Sequence, residues 1–267
     1  MPTPADISRP ASRLTIAVLT HNEAHQIERC LTSAAFADEL IVVDSGSSDD
    51  TVAIAVRLGA TTFVHADWQG FAEQRNRLLA HATGDYILFL DADEEITPAL
   101  RDDILAAVRS REVAVWSVVW SEVAFGRELK HMVPRKGPAR LFKRSLLQKY
   151  DGVVHENAVL TDPGAPRHVL RHQLRHYSRQ TVYGSLKKLA QYAALGASKR
   201  AHRKKLGGIL PGLLMSGLTF LRLYVFRLAF TGGGPGFLYS LFIALETFFR
   251  YAAAQYDSNI EIAPLKR

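Results

Sequence analysis

Apolar runs alternating with polar, helix-prone stretches govern the first 110 residues. Leu14-Thr15-Ile16-Ala17-Val18-Leu19-Thr20 reads as a strand, and His21-Asn22-Glu23-Ala24 follows it, with Asn22 placed to cap a helix reaching about Phe36. Leu40–Val43 is a second apolar run. It closes on Asp44-Ser45-Gly46-Ser47-Ser48-Asp49-Asp50-Thr51, small and acidic residues suited to a loop and an N-cap. A helix is expected from about Asp49 to Leu58, stopped by Gly59, and Thr61–His65 predicts a third strand. Gly70–Ala82 predicts another helix, stopped by Thr83-Gly84, before the run Tyr86-Ile87-Leu88-Phe89-Leu90. Strands alternating with helices in this way predict a parallel, doubly wound α/β sheet.

The last of these strands runs into Asp91-Ala92-Asp93-Glu94. Two carboxylates spaced i, i+2 at a strand end lie at the carboxyl edge of the sheet, where open α/β sheets bind ligands. Acids there hold a divalent cation, and Mg²⁺ is typically bound by one or two carboxylates together with substrate phosphates. A capping role is the competing explanation. Thr97 as N-cap with Pro98 in the first turn already accounts for the helix start that follows.

Composition excludes some classes and leaves others. With 267 residues, 48% hydrophobic and 22% charged, the chain is globular and large enough for a sizeable core. A single cysteine, Cys30, excludes an intramolecular disulfide and a cysteine-rich zinc site, and its place on the first helix's inner face makes it a core residue. The N-terminus has no apolar stretch of signal-peptide type, which makes the cytoplasm the expected compartment.

Charge divides the chain. Residues 1–150 hold 17 Lys/Arg and 20 Asp/Glu (17 − 20 = −3), and residues 151–267 hold 16 and 6 (16 − 6 = +10). The basic part includes Lys187, Lys188, Lys199, Arg200, Arg203, Lys204 and Lys205, and between Leu206 and Phe249 the only charged residues are Arg222, Arg227 and Glu246. Basic clusters beside apolar helices suit an anionic inner leaflet. Neither apolar run reaches the roughly 18–20 uninterrupted residues of a bilayer span. Pro211 and Gly232–Gly236 interrupt the region further, so helices lying in the membrane interface are expected, with a protein-buried hairpin or a dimer interface as the alternative. Nucleic acid is not an expected partner, because the positive charge adjoins apolar helices and not aromatics interleaved on a sheet. His168, His172 and His176 recur every four residues, the helical spacing of a zinc site, but the flanking alternation of Leu, Val and Arg reads as strand.

Taken jointly, Thr20-His21-Asn22-Glu23, Val42–Ser47 with Asp49 and Thr51, Arg75-Asn76, Ala82–Asp85 and Asp91–Glu94 resemble the family 2 glycosyltransferases of GT-A fold. Gly70–Asn76, Arg140-Leu141-Phe142, Val154-His155-Glu156 and His176-Tyr177 narrow the likeness to lipopolysaccharide core transferases that add a β-linked glucose to heptose. The resemblance implies that Asp91 faces the donor ribose and that Asp93 holds Mg²⁺ or Mn²⁺. It implies that Asp44 binds the nucleobase and that Thr20, Asn22 and Glu23 line the same nucleotide. For Asn22 and Asp49, helix capping is the alternative. Arg75 reaches a donor phosphate or lies on a solvated helix face. Glu156, after a short apolar run, is the expected general base, with Glu94 and Glu95 as rivals and an ordinary exposed loop as the alternative. Arg135, Arg140 and His155 are the candidate acceptor contacts, for a phosphorylated heptose or a sugar carboxylate. The segment Phe125–Met132 is shorter and less aromatic than the loop related sequences carry before this arginine.

The expected organisation is a tail (1–12), a GT-A catalytic domain (13–178), a membrane-associating helical region (179–256) and a second tail (257–267). The catalytic domain divides into a nucleotide-sugar half (13–110) and an acceptor half (111–178), with a mostly parallel sheet flanked by helices. The expected activity is metal-dependent, inverting transfer of a hexose, glucose by resemblance, from a UDP-sugar to a lipid-linked saccharide such as the lipopolysaccharide inner core. It would take place at the cytoplasmic face of the inner membrane. Transfer to a polyprenyl phosphate is an alternative, as is a silent nucleotide-sugar-binding scaffold.

Overall fold

The computed structural model describes residues 12–152, 156–202 and 207–257, the side chains of 201 and 202 excepted. The described residues divide into two compact units, one built from those up to Val119 and those between Lys136 and Leu174, the other from Trp120–Arg135 and those between 175 and 257.

The elements of the chain up to Ala124 are β1 (Leu14–Thr20), α1 (Ile27–Ala34), β2 (Glu39–Asp44), α2 (Thr51–Arg57), β3 (Thr61–Val64), α3 (Phe71–His81), β4 (Tyr86–Asp91), β5 (Glu94–Glu95), α4 (Pro98–Ser110), β6 (Val115–Ser117) and β7 (Trp120–Ala124). They continue with β8 (Arg127–Leu129), β9 (Ala139–Lys143), β10 (Leu147–Asp151), β11 (Asn157–Leu160), β12 (Arg167–Val169), β13 (Leu174–Arg179), α5 (Val182–His202), α6 (Ile209–Leu221) and α7 (Gly233–Tyr256).

The first unit is built on a seven-stranded sheet in the order β12-β6-β9-β4-β1-β2-β3. Strands β4, β1, β2 and β3 run parallel, with Val18 beside Leu90 on one side and Val42 on the other. Strand β9 enters antiparallel between β4 and β6. Every residue of β1 is buried, as expected for a parallel strand covered on both faces. Phe89, Phe142 and Tyr150 meet edge to face at centroid distances of 5.1–6.3 Å, a geometry that aromatic quadrupoles favour. Helix α4 starts as its sequence dictates, with Pro98 in its first turn and the Thr97 hydroxyl accepting from Leu100 N at 3.2 Å.

Asn22 does not cap α1. The chain first turns through residues 24–26, with Gln26 N and Ile27 N donating to Glu23 O, and α1 begins only at Ile27. Asn22 adopts a left-handed φ of 54°, which its short polar side chain tolerates. Cys30 is fully buried on α1, as expected. Burial pushes its thiol well above the usual range, and the carboxylates of Glu94, Asp93 and Asp91 push the same way.

In the second unit β7 pairs antiparallel with β8, β13 lies beside β7, and α7 packs along both α5 and α6. Residues 120–135, expected within the acceptor half, group with these helices. The reason is burial: Ala124, Leu129 and Met132 form one apolar cluster with Leu223 and Ala229. The apolar segments are also longer than expected. Ile209–Phe226 and Ala229–Tyr256 are each long and apolar enough to cross a membrane. Pro211 falls in the first turn of α6, where its missing N–H has no helical partner to lose. Gly233, Gly234, Pro235 and Gly236 likewise make the first turn of α7 and do not break it. A π-helical stretch, Arg222–Phe226, extends α6. Length and composition suit crossing a bilayer as well as lying along it.

The three histidines do not share a helix. His168 lies on β12 and His176 on β13, and each of the three faces a different carboxylate: Glu112, Asp103 and Glu122 for His168, His172 and His176.

Candidate active site

The loops after β1 and β2 are stitched together by their polar residues. Asp44, fully buried, accepts from Gly46 N (2.9 Å), Ser47 N (2.7 Å) and the Ser47 hydroxyl. This turn needs Gly46: its φ is +89°, and a Cβ would come within 3.0 Å of Ala66 Cβ. Asn22 Oδ1 accepts from Ser48 N at 2.8 Å, and Asn22 N donates to the Ser47 hydroxyl at 2.7 Å. Glu23 N donates to Thr51 Oγ1 at 2.8 Å, and Asp49 accepts from Thr51 N and Ala24 N. The hydroxyls of Thr20 and Ser45, at the adjoining ends of β1 and β2, are buried without a hydrogen-bond partner. Orphaned buried hydroxyls are rare in folded proteins and call for an explanation such as a ligand.

Beside them, β4 delivers Asp91 into a buried ion network. Asp91 Oδ1 accepts from Arg75 Nη2 at 3.1 Å and Oδ2 from Arg140 Nη2 at 2.9 Å. Arg75 Nε reaches Glu156 Oε1 at 3.1 Å, so one guanidinium holds both acids. Arg140 Nη2 also donates to Glu94 Oε1 at 2.8 Å, while Glu94 Oε2 accepts from Asp91 N at 2.8 Å. Arg75 is only 6% exposed, because it lies on the inner face of α3 with Gln74 and Leu78, and its guanidinium stands 5.7 Å from the rings of Phe89 and Tyr150. The solvated-face reading of Arg75 is thereby excluded. Asn76, next to it, fixes β10 by bonding both Tyr150 N and Tyr150 O. Burial draws the Arg140 guanidinium's pKa down, but the carboxylates of Asp91 and Glu94 outweigh it and hold it above the ordinary arginine value.

Asp93 occupies the turn between β4 and β5 and is half-buried. Along this edge Arg75 and Arg140 face three carboxylates, Asp91, Glu94 and Glu156, and Asp93 follows Asp91 by two residues as a fourth, a surplus of negative charge that fits a divalent cation. Both oxygens of Asp91 already face arginines, so the donor chemistry favours Asp93 as the anchor. Among the described residues no three or more His, Cys, Asp or Glu converge as a ligand set. A cation here would therefore complete its shell on phosphate oxygens and water, the usual arrangement for Mg²⁺.

The site brings together Thr20, Asn22, Glu23 and Asp44 in the paired loops, and Arg75, Asp91, Arg140 and Glu156 in the network. Arg140, expected to meet the acceptor, lies beneath Asp91 at 8% exposure. Arg135 is exposed in the second unit. His155 lies outside the described residues. Sequence reasoning missed Glu94 as a buried partner of Arg140. The one available signal was its place directly after the acidic pair.

Arg140→Leu is expected to destabilise the fold by about 3–5 kcal/mol, because it leaves Asp91 and the buried Glu94 without their shared partner. Urea midpoints of the variant and the wild type check this, and an unchanged midpoint would contradict it.

Comparison with known proteins names the class. The sequence profile of glycosyl transferase family 2 matches residues 15–161, more than half of the chain. The chain is 35% identical over 147 residues to a TPR repeat-containing protein of Synechococcus elongatus, an alignment covering 54% of this chain and 35% of that one, so it spans about a third of that relative. It is 28% identical to an uncharacterized glycosyltransferase of Rickettsia felis, over 90% of this chain and 88% of the relative. It is 26% identical to LpsC, a lipopolysaccharide core biosynthesis glycosyltransferase of Rhizobium meliloti, over 90% of each chain. In fold it is similar to the mannosyltransferase PcManGT of Pyrobaculum calidifontis, with a TM-score of 0.52 at 18% identity, covering 96% of this chain and 92% of that one. The protein belongs to glycosyl transferase family 2 and is a nucleotide-sugar glycosyltransferase of GT-A fold.

Proposed function

We propose that this enzyme transfers a hexose, glucose, from a UDP-sugar to a lipid-linked saccharide of the lipopolysaccharide inner-core type, with inversion and in one displacement. The observation that carries the reading is the junction at Arg75, whose guanidinium ties Asp91 on the donor side to Glu156. Thr20, Asn22, Glu23 and Asp44 shape the nucleotide pocket, and the unpartnered hydroxyls of Thr20 and Ser45 supply polar groups there. Asp91 faces the ribose, and Asp93 anchors Mg²⁺ or Mn²⁺. When bound, such a cation clamps the diphosphate and offsets the charge of the leaving group. Glu156 takes the proton from the attacking hydroxyl. Arg75 and Arg140 act as positioning residues, holding Asp91 from two sides. Arg135 and His155 are proposed to meet the acceptor's anionic groups.

Two likenesses support this reading. LpsC is named for lipopolysaccharide core biosynthesis, and PcManGT was solved with GDP-mannose and Mn²⁺. For location, the lysines of α5 and the exposed apolar faces of α6 and α7 support an anionic membrane surface at the cytoplasmic face of the inner membrane. Calorimetry with a panel of UDP- and GDP-sugars, with and without Mn²⁺, tests the donor assignment. Metal-dependent binding of one UDP-hexose is expected. Binding of a GDP-sugar alone would move the donor class, and no binding by folded protein would return the reading to a silent scaffold.

A further inference from the structure

The connection from α6 to α7, within the second unit, carries a cavity that the transfer chemistry does not use. It encloses about 240 Å³. That is below the roughly 300–1,000 Å³ of sites that take a whole small molecule, so it suits a headgroup and not a nucleotide sugar. Arg127, Lys130, His131 and Arg227 line it. None of Arg127, Lys130 and Arg227 forms an ion pair with a carboxylate among the described residues. Glu128 also lines the cavity, but its carboxylate accepts from the Ser121 hydroxyl at 2.6 Å and faces Arg175 at 3.8 Å. The cavity therefore sets three cationic side chains, Arg127, Lys130 and Arg227, against one carboxylate, and its net charge is positive.

The two guanidinium groups are aimed by backbone carbonyls. Arg127 Nη2 donates to Thr231 O at 3.2 Å, and Arg227 Nη1 donates to Val133 O at 2.8 Å. One tether each leaves further N–H donors of the fork for a ligand, and arginine forks match phosphate oxygens. The apolar wall is close-fitting, since a Cβ at Gly232 would come 2.6 Å from Leu129 Cδ2. In sequence the cavity residues adjoin three projecting apolar side chains, Phe226 (75% exposed), Leu228 (39%) and Phe230 (48%). Cations in a pocket with apolar side chains beside it match an amphiphile, with a phosphate at one end and hydrocarbon at the other.

We infer that the α6–α7 connection binds the phosphate headgroup of an anionic phospholipid. This inference rests on the membrane-surface part of the proposed function and on none of its donor chemistry. Flotation of the full chain with phosphatidylcholine vesicles, with and without phosphatidic acid, tests it. Wild type is expected to prefer the phosphatidic acid vesicles. Lys130→Gln, at an exposed position, is expected to reduce that preference about fivefold, and Arg127→Gln/Arg227→Gln by more than about tenfold. Nucleotide-sugar binding by calorimetry should stay at the wild-type value in both variants. If wild type shows no lipid preference, or if Lys130→Gln and the double variant both keep it, the inference is overturned. If millimolar inorganic phosphate abolishes the preference, the site takes free phosphate and the lipid assignment fails. Absence of donor binding in wild type would sink the catalytic reading while leaving the lipid result standing.

Discussion

Asp93→Asn is expected to lower the transfer rate by about three orders of magnitude, roughly 4 kcal/mol of transition-state stabilisation, and to abolish the effect of Mn²⁺ on UDP-sugar binding. The two oxygens of Asp91 are taken by Arg75 and Arg140, so Asp91 cannot replace its neighbour as an anchor without breaking two ion pairs. Asn at position 93 keeps the size of the side chain in the turn and removes only the charge. The lost charge bears most on the step in which the diphosphate leaves, because negative charge grows there. The fold should survive, and an unchanged urea midpoint would separate a site effect from a folding effect. Calorimetry of the UDP-sugar with and without Mn²⁺ is the direct readout. A variant that keeps both metal-dependent binding and rate would remove Asp93 from the site.

Much of the first unit is legible in the sequence because its signals are local. β1, β2 and β4 are uninterrupted apolar runs, and α4 starts where Thr97-Pro98 says it should. What was not legible depends on partners far apart in the chain. Arg75, Asp91 and Arg140 lie on three different elements, and only the pairing of β9 with β4 brings Arg140 under Asp91. No periodicity reports that contact, so Arg75 read equally well as a phosphate ligand or a solvated residue, and Glu94 as a rival base. Asn22 reads as a helix cap and is not one, for a related reason. Its amide finds Ser48, 26 residues on, and the chain turns once more before α1 begins. At the C-terminal end position decides: proline and glycine read as breaks, but Pro211 and Gly233–Gly236 fall in first turns, where a helix tolerates them.

Glu156→Gln is expected to lower kcat by about 10²–10⁴-fold while leaving UDP-sugar affinity near the wild-type value. Glu156 is held by Arg75 Nε at 3.1 Å with 22% of its side chain exposed, so it is oriented from one side and open on the other. Gln retains a carbonyl oxygen for that N–H, and the bond between Arg75 and Asp91 can persist. What Gln cannot do is accept the hydroxyl proton of the acceptor. The loss should therefore fall on kcat and not on donor binding, unlike the loss from Asp93→Asn, which falls on both. The comparison also decides between acceptors. A sugar hydroxyl must be deprotonated as it attacks, whereas a polyprenyl phosphate arrives as an anion and needs no base. If Glu156→Gln loses less than about tenfold in rate, the base assignment fails and the phosphate acceptor becomes the better reading. A loss in the expected range with donor affinity intact favours a hydroxyl acceptor.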